Sequence, residues 1–289
     1  MIIERLRSKA GLRASISLIA FVALWELGAR SKAWLGADVF SPLRALLEAG
    51  GFRPSYLPWI GSIPAPSAVA STWTTVLGQP DYWHSWYMSF MRVSGGFAAA
   101  MIIGIPFGLL LATSRTLFGI FFPVFEVLRP IPPLAWVPAS IIFWPTQELS
   151  IAFVTFLGAF YTIVINVVGG AQSIDRRYFE AARSMGASRW NVFRRIILPA
   201  TLPSIVVGAV VGMGITWEVV VAAEMISGGG SQAGGTAGGG LGFLIWNSYV
   251  GGSYELIVLG MISIGIAGLV SSELLRKLGA YVTPWARAR

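Results

Sequence analysis

Long apolar runs separated by polar connections dominate this sequence. Six runs stand out, at about 14–30, 88–112, 118–144, 149–169, 199–225 and 254–275. A helix needs about 20 apolar residues to cross the hydrocarbon core of a bilayer. The pattern therefore predicts an all-α polytopic membrane protein with six transmembrane helices.

Two of these runs have special features. The run 118–144 contains Pro130, Pro132, Pro133 and Pro138, which predict a kinked or interrupted helix. The run 14–30 follows a basic stretch and resembles a secretory signal peptide. Because no clean small-x-small cleavage pattern follows it, we expect it to be a retained first span.

The composition supports a membrane location and removes several kinds of chemistry. Hydrophobic residues make up 55% of the chain and charged residues 12%, whereas a soluble domain is typically about 25% charged. There is no cysteine and only one histidine, His84. This excludes disulfides, thiol nucleophiles and a histidine metal cluster, so we expect no catalytic residue, no metal site and no enzymatic activity in the chain itself.

The positive charges report the orientation of the chain in the membrane. With an internal N-terminus, the segments 1–13, 170–198 and 276–289 and the turn at Arg115 face the cytoplasm and hold 15 of the 21 Lys and Arg residues. This asymmetry is the positive-inside pattern. It predicts two cytoplasmic termini, and it explains the net charge of +8 without nucleic acid as a partner.

The predicted outer segments are 31–87 and 226–253. The first is rich in Pro, Trp and Gly, and aromatic residues suit the membrane interface. The second contains the glycine-rich stretch 227–242, which predicts a flexible loop. That stretch has no Lys or Arg, and the chain has no G-x-x-x-x-G-K-[ST], so a linker is favoured over a nucleotide site.

The segment 170–198, called here the 170–198 loop, is longer than a simple connection requires. Asp175 is a candidate helix cap, Gly186 a candidate helix stop, and Ser188 a candidate cap for the following helix. The apolar residues that would share one stripe of the first helix are Tyr178, Ala181, Ala182 and Met185. Taken by itself, this pattern fits a protein-docking helix and an amphipathic helix on anionic lipid equally well.

The same loop resembles the EAA motif of permeases in binding-protein-dependent ABC importers, E-A-A-x3-G-x9-I-x-L-P. The matching positions are Glu180, Ala181, Ala182, Gly186, Ile196, Leu198 and Pro199. The resemblance implies a coupling helix, including Met185, that inserts into an ATPase subunit. It also implies two such subunits that bind ATP and Mg²⁺, an extracytoplasmic solute-binding protein and no cofactor in this chain.

Further stretches resemble the nitrate, sulfonate, taurine and bicarbonate branch of these permeases. They are SIPAPSAV (62–69), GIPFGLLLATS (104–114), LRPIPPLAWVPA (128–139), AAEMISG (222–228) and GLGFLI (240–245). The resemblance implies a MetI-like core over 62–289, a second permease copy, a bacterial inner-membrane location and a small anionic substrate. Residues 1–61 would form an N-terminal span and an external extension. FWPTQE (143–148) and the glycine-rich stretch depart from the branch pattern.

Charged and aromatic residues inside the spans are candidates for the substrate pathway, because intramembrane charges usually face a cavity or a partner. Arg129 either admits an anion or pairs with Glu126, three positions away. Glu224 is a candidate gate or helix-packing residue. The remaining pathway candidates are Glu218 and the two tryptophans Trp136 and Trp217, for which helix packing is the other interpretation. An ion-gradient-driven secondary transporter is the alternative function, although it needs no docking loop.

Overall fold

The computed structural model describes residues 2–52, 57, 60–226 and 239–288. Within these ranges the chain is all-helical, without a β-strand. It divides into two compact units, one of Met1–Pro80 with Asn247–Leu259 and one of Asp81–Trp246 with Gly260–Arg289. The predicted boundary at residue 61 between an extension and a permease domain stays a prediction.

Thirteen α-helices follow one another in the described residues. In the first part of the chain they are α1 (Ile2–Ala29), α2 (Ser31–Leu35), α3 (Ser41–Ala49), α4 (Pro66–Val76), α5 (Pro80–Thr113), α6 (Arg115–Leu128) and α7 (Val137–Phe143). In the second part they are α8 (Gln147–Gln172), α9 (Arg176–Ser184), α10 (Arg189–Val192), α11 (Leu198–Ile226), α12 (Leu241–Val250) and α13 (Tyr254–Val282).

Four of the six predicted spans are confirmed as helices that are long and apolar enough to cross a membrane. They are α5, α8, the continuous helix Arg189–Ile226 and α13. The first predicted run lies in α1, where Ser15–Ala29 forms an apolar helix. By length and composition, the described residues contain four spans, or five if the bent pair counts as one, where the sequence predicted six.

The third predicted span is interrupted, as its prolines indicate. α6 ends at Leu128, and the segment Pro133–Phe143 leaves it at an angle of 86°. Pro130, Pro132 and Pro133 lack the N–H groups that would continue the helical ladder across this bend. The two halves count as one span only if the bent pair crosses the membrane together.

Helix α8 is central in the larger unit because α5 and α11 both pack closely against it. A Cβ on Gly108 of α5 would lie 2.8 Å from Val167, and one on Gly208 of α11 would lie 2.8 Å from Asn166. Small residues allow such close helix approach. The glycines at 104, 108, 208 and 212 therefore make packing contacts with α8 within the chain.

Helix α12 was not predicted, because 226–253 was interpreted as an outer connection. The structure places Leu241 and Gly242, the last two residues of the predicted flexible stretch, in the first turn of α12. Gly239 and Gly240 lie outside any helix, as predicted, and residues 227–238 lie outside the described residues. The sequence pattern does not predict α12, because the helix begins in a glycine-rich stretch and glycine has low helix propensity.

In the smaller unit, one carboxylate joins α1 to α4. Glu26, near the end of α1, accepts hydrogen bonds from the backbone N–H (3.0 Å) and the hydroxyl (2.8 Å) of Ser67 in the first turn of α4. It also accepts from Nε of Arg30 at 2.5 Å. The carboxylate therefore satisfies a free N–H group at the start of α4.

Candidate functional site

The 170–198 loop forms the helix–corner–helix arrangement that its sequence predicts. The Asp175 carboxylate accepts a hydrogen bond from the N–H of Arg177 at 2.9 Å and caps α9. Gly186 ends the helix with a φ of 74°, in the left-handed region that favours glycine. Ser188 caps α10 by accepting from the N–H of Asn191 at 3.3 Å. All three predicted terminal residues are confirmed.

Helix α9 presents most of its predicted apolar stripe to the outside. The side chains of Tyr178 and Met185 are 60% and 80% exposed, and Ala181 is exposed between them. Ala182 differs, because it is 4% exposed and faces inward. Ala182 lies at the edge of the same stripe, where it is covered, and Tyr178, Ala181 and Met185 form the exposed face.

The corner leads without interruption into a membrane helix. The rings of Trp190 and Phe193 stack at 5.7 Å, and a single π-helical turn, Phe193–Ile197, joins α10 to α11. Leu198 packs against the buried core, and Pro199 next to it is half-buried. Arg189–Ile226 is one continuous helix that connects the 170–198 loop to the buried core.

Arg129 lies at the bend between α6 and α7. Its Nη1 atom donates to Oε1 of Glu126 at 3.3 Å, so the pair that the spacing predicts is present. Both side chains remain partly exposed. Arg129 also lines a cavity of about 290 Å³ together with Tyr161 and Thr162. The guanidinium thus has both the structural partner and the cavity that the two interpretations require.

The two tryptophans occupy packing positions. Trp217 is buried, and its indole N–H donates to the hydroxyl of Ser271 at 2.9 Å. Trp136 is half-buried against the core, and its buried indole nitrogen has no hydrogen-bond partner in the described part of the chain. The structure therefore shows packing contacts for both residues.

The two carboxylates of α11 have opposite surroundings. Glu218 is exposed and lines a groove of about 690 Å³ between α11 and α13, and it makes no hydrogen bond or ion pair with the described residues. Glu224 is only 1% exposed and belongs to a buried network. Of the two roles considered for Glu224, the contacts are those of a helix-packing residue.

The buried network is centred on Arg92 of α5. Its Nη1 donates to Oε1 of Glu224 at 3.0 Å and to the backbone oxygen of Gly239 at 2.5 Å. Its Nε donates to Oε2 of Glu148 at 2.9 Å, and its Nη2 donates to Oε1 of the same carboxylate. The guanidinium therefore joins α5, the start of α8 and the end of α11.

The same network caps helix α12. Glu224 accepts hydrogen bonds from the Ser89 hydroxyl at 2.8 Å and from the N–H of Gly242 at 2.9 Å. The Ser89 oxygen in turn accepts from the N–H of Leu241 at 2.8 Å. A Cβ on Gly240 would lie 2.4 Å from the carboxyl carbon of Glu224. Glycine is therefore required where the chain enters α12.

Three members of this network, Ser89, Arg92 and Glu148, were not predicted from the sequence. A signal was present, because Arg92 is a charged residue inside an apolar run and Glu224 is another. Their pairing could not be found, since 132 positions separate them. Within the described residues no group of three His, Cys, Asp or Glu side chains could hold a metal.

The relatives of the chain are transport proteins. Residues 104–288 match the family model described as "Binding-protein-dependent transport system inner membrane component". The nitrate import permease protein NrtB of Leptolyngbya laminosa is 37% identical over 68% of this chain and 67% of its own length. The taurine transport system permease protein TauC of Escherichia coli is 31% identical, over 77% and 80%. The bicarbonate transport system permease protein CmpB of Synechococcus elongatus is 34% identical, over 68% and 66%.

A solved structure shares the fold. A chain of the MetNI methionine ABC transporter superposes with a TM-score of 0.54 and 24% identity, over 74% of this chain and 98% of its own. That likeness supports the fold, and the family match together with the curated relatives supports the biological role. The chain belongs to the family of inner-membrane permease components of binding-protein-dependent ABC importers.

Proposed function

We propose that two copies of this chain form the translocation pathway of an importer for a small anion. Two ATPase subunits bind the 170–198 loops and hydrolyse ATP with their own Mg²⁺, and an extracytoplasmic binding protein delivers the solute. The permease contributes no catalytic residue and needs no cofactor. Both of its termini lie in the cytoplasm, as the distribution of Lys and Arg indicates.

The exposed apolar face of α9 is the observation that supports ATPase docking. Tyr178, Ala181 and Met185 point away from the body of the chain. Removal of apolar side chains from water is favourable, so this exposed face favours a partner that covers it. The caps at both ends of α9 fix its position. A rigid helix with an uncovered apolar face suits insertion into a groove of a partner protein.

The connection to α11 supplies the route for coupling. Glu180 lies on the exposed part of α9, and Gly186 makes the corner between α9 and α10. Leu198 and Pro199 then begin α11, which packs along α8 in the core. When ATP closes the ATPase pair, movement of α9 turns or shifts α11 and so changes the pathway between two states.

The docking proposal is tested with Met185→Glu and its matched control Met185→Leu. Met185 is exposed, so neither change should disturb the fold. The glutamate would place a charge in an apolar interface, whereas leucine keeps the apolar volume. We expect Met185→Glu to reduce co-purification of the ATPase subunit and the solute-stimulated ATPase rate about tenfold or more.

Insertion and folding are checked by the thermal unfolding midpoint of each purified variant. Met185→Leu should match the unchanged chain in all measurements. Equal ATPase binding by the Met185→Glu chain would show that α9 does not dock the ATPase.

The proposed contact between permease copies lies along α11. Val207, Val211, Gly214 and Glu218 are exposed and are spaced four, three and four positions apart, so they share one helix face. Most of the helix surface on either side of this line is buried. The Glu218 carboxylate, which has no partner among the described residues, favours water or a polar group at this face, because an isolated charge is costly in lipid.

The proposed anionic substrate rests on the relatives and on Arg129. The relatives are named for nitrate, taurine and bicarbonate, each of which carries an anionic group. Glu126 uses one guanidinium nitrogen of Arg129, which leaves other N–H donors for an oxyanion. The adjoining cavity of about 290 Å³ has room for a small solute and adds the hydroxyl-bearing Tyr161 and Thr162.

The role of Arg129 is tested by solute uptake into proteoliposomes containing the assembled complex. Arg129→Gln should lower anion uptake about tenfold, and Arg129→Lys should fall between, because lysine keeps the charge but loses the bidentate geometry. Glu126→Gln is the control, since it removes the structural pair but keeps the cation. If Glu126→Gln impairs uptake as much as Arg129→Gln does, the pair is structural and the anion proposal fails.

A further inference from the structure

A basic cavity adjoins α9 on the side away from its docking face. Its volume is about 810 Å³, and its walls come from the end of α5, the start of α6, the end of α8 and α9. Three arginines line it, Arg115, Arg176 and Arg183. None of the functions described above uses these three side chains.

The cavity carries a positive charge that the described residues do not neutralise. Arg115, Arg176 and Arg183 take part in none of the ion pairs formed within the described ranges. Glu180 is the one carboxylate in the lining, so three positive charges face one negative charge. An anion of charge −1 or −2 would complete the site.

Helix periodicity separates this cavity from the docking face. Arg176, Phe179, Glu180 and Arg183 are three, one and three positions apart and lie on one side of α9. At 100° per residue, Tyr178, Ala181 and Met185 lie on the opposite side. A ligand in the cavity and a protein on the apolar face can therefore bind at the same time.

The surroundings of the cavity are those of a membrane surface. Arg115 follows the end of α5 by two residues, at the connection between two apolar helices. Leu111 and Phe118 add apolar wall to the cavity, and beyond it Ile120 and Phe121 of α6 are exposed. In a ligand with an anionic headgroup and a hydrocarbon tail, the headgroup would pair with the arginines and the tail would cover these apolar surfaces.

We infer that this cavity binds the phosphate headgroup of an anionic phospholipid. Guanidinium groups bind phosphate oxygens through paired, charge-assisted hydrogen bonds, and basic pockets between membrane helices are suited to anionic headgroups. The bound lipid fixes the inner side of α9 while its outer face engages the partner. The site depends on the proposed function only in that the 170–198 loop lies at the cytoplasmic surface.

The test measures binding of phosphatidylglycerol and phosphatidylcholine to the full chain by native mass spectrometry. We compare the unchanged chain with Arg115→Gln and with Arg183→Gln. The matched control is Arg177→Gln, which removes the same charge from α9 at a residue outside the cavity lining. We expect about tenfold weaker phosphatidylglycerol binding for the two cavity variants and an unchanged affinity for Arg177→Gln.

Any of four results would overturn the proposal. Three of them are equal affinity for the two lipids, equal loss of binding in Arg177→Gln, and displacement of phosphatidylglycerol by an equal concentration of inorganic phosphate, which would indicate a site for free phosphate. Displacement of the lipid by the ATPase subunit would assign the cavity to the protein interface and would also contradict it. Co-purification of the ATPase is measured separately, so failure of lipid binding is distinguishable from failure of docking.

Discussion

Arg92 shows how a charged side chain is accommodated among apolar helices. Two carboxylates from different helices and one backbone carbonyl occupy its donors, so little of its charge faces the core uncompensated. Removing one member of a buried ion pair costs more than the pair itself contributes, because the remaining charge stays buried. The network therefore fixes the arrangement of its helices through the cost of breaking it.

Glu224→Ala should destabilise the chain strongly, whereas Glu218→Ala should not. Loss of the Glu224 carboxylate removes an ion pair to Arg92 and leaves the N–H of Gly242 without its acceptor. We expect about 3–5 kcal/mol of lost stability, measured as a lower thermal unfolding midpoint of the detergent-purified chain. Glu218 lies on the same helix but is exposed and unpaired in the described residues, so its change should stay within about 0.5 kcal/mol. Similar shifts for both variants would contradict the structural role of the network.

Local signals and distant partners explain which elements the sequence could reveal. Helix α9 was predictable because Asp175, Gly186 and Ser188 act on residues within three positions. Helix α12 was not, because the side chains that cap it, Ser89 and Glu224, are far away along the chain. A single sequence does not reveal such pairings, so the 170–198 loop was predicted and the Arg92 network was missed.

The corner at Gly186 should tolerate asparagine and reject valine. A Cβ there meets nothing within 4 Å, so the backbone angle alone decides the outcome. Asparagine adopts a positive φ readily, whereas a β-branched residue is strained by about 1–3 kcal/mol. We expect Gly186→Val to lower ATPase co-purification and coupled hydrolysis, and Gly186→Asn to retain most of both. If the valine variant binds and couples normally, the left-handed corner is not needed for docking.

At the scale of the whole molecule, apolar runs predict well where the membrane-spanning segments lie. They predict less well whether each segment is one unbroken helix. The prolines from Pro130 to Pro133 predict a break in the helix, but they do not predict the 86° angle between its two halves. Hydropathy measures preference for lipid, and it does not measure what covers each helix in the assembly.

The proposed pairing of two copies along α11 can be tested in the membrane by cross-linking. The chain contains no cysteine, so a single Val211→Cys introduces the only thiol. In a twofold dimer, residues near the axis meet their own copies, and a disulfide forms when the Cα atoms come within about 7 Å. We expect oxidation of the membranes to give a disulfide-linked dimer, which a reductant converts back to monomer. The control is Ile102→Cys on α5, which is also apolar and exposed (73%, against 48% for Val211) but lies away from the line on α11. Cross-linking at residue 102 but not at 211 would show that the two copies meet along α5. The proposed contact along α11 would then be wrong.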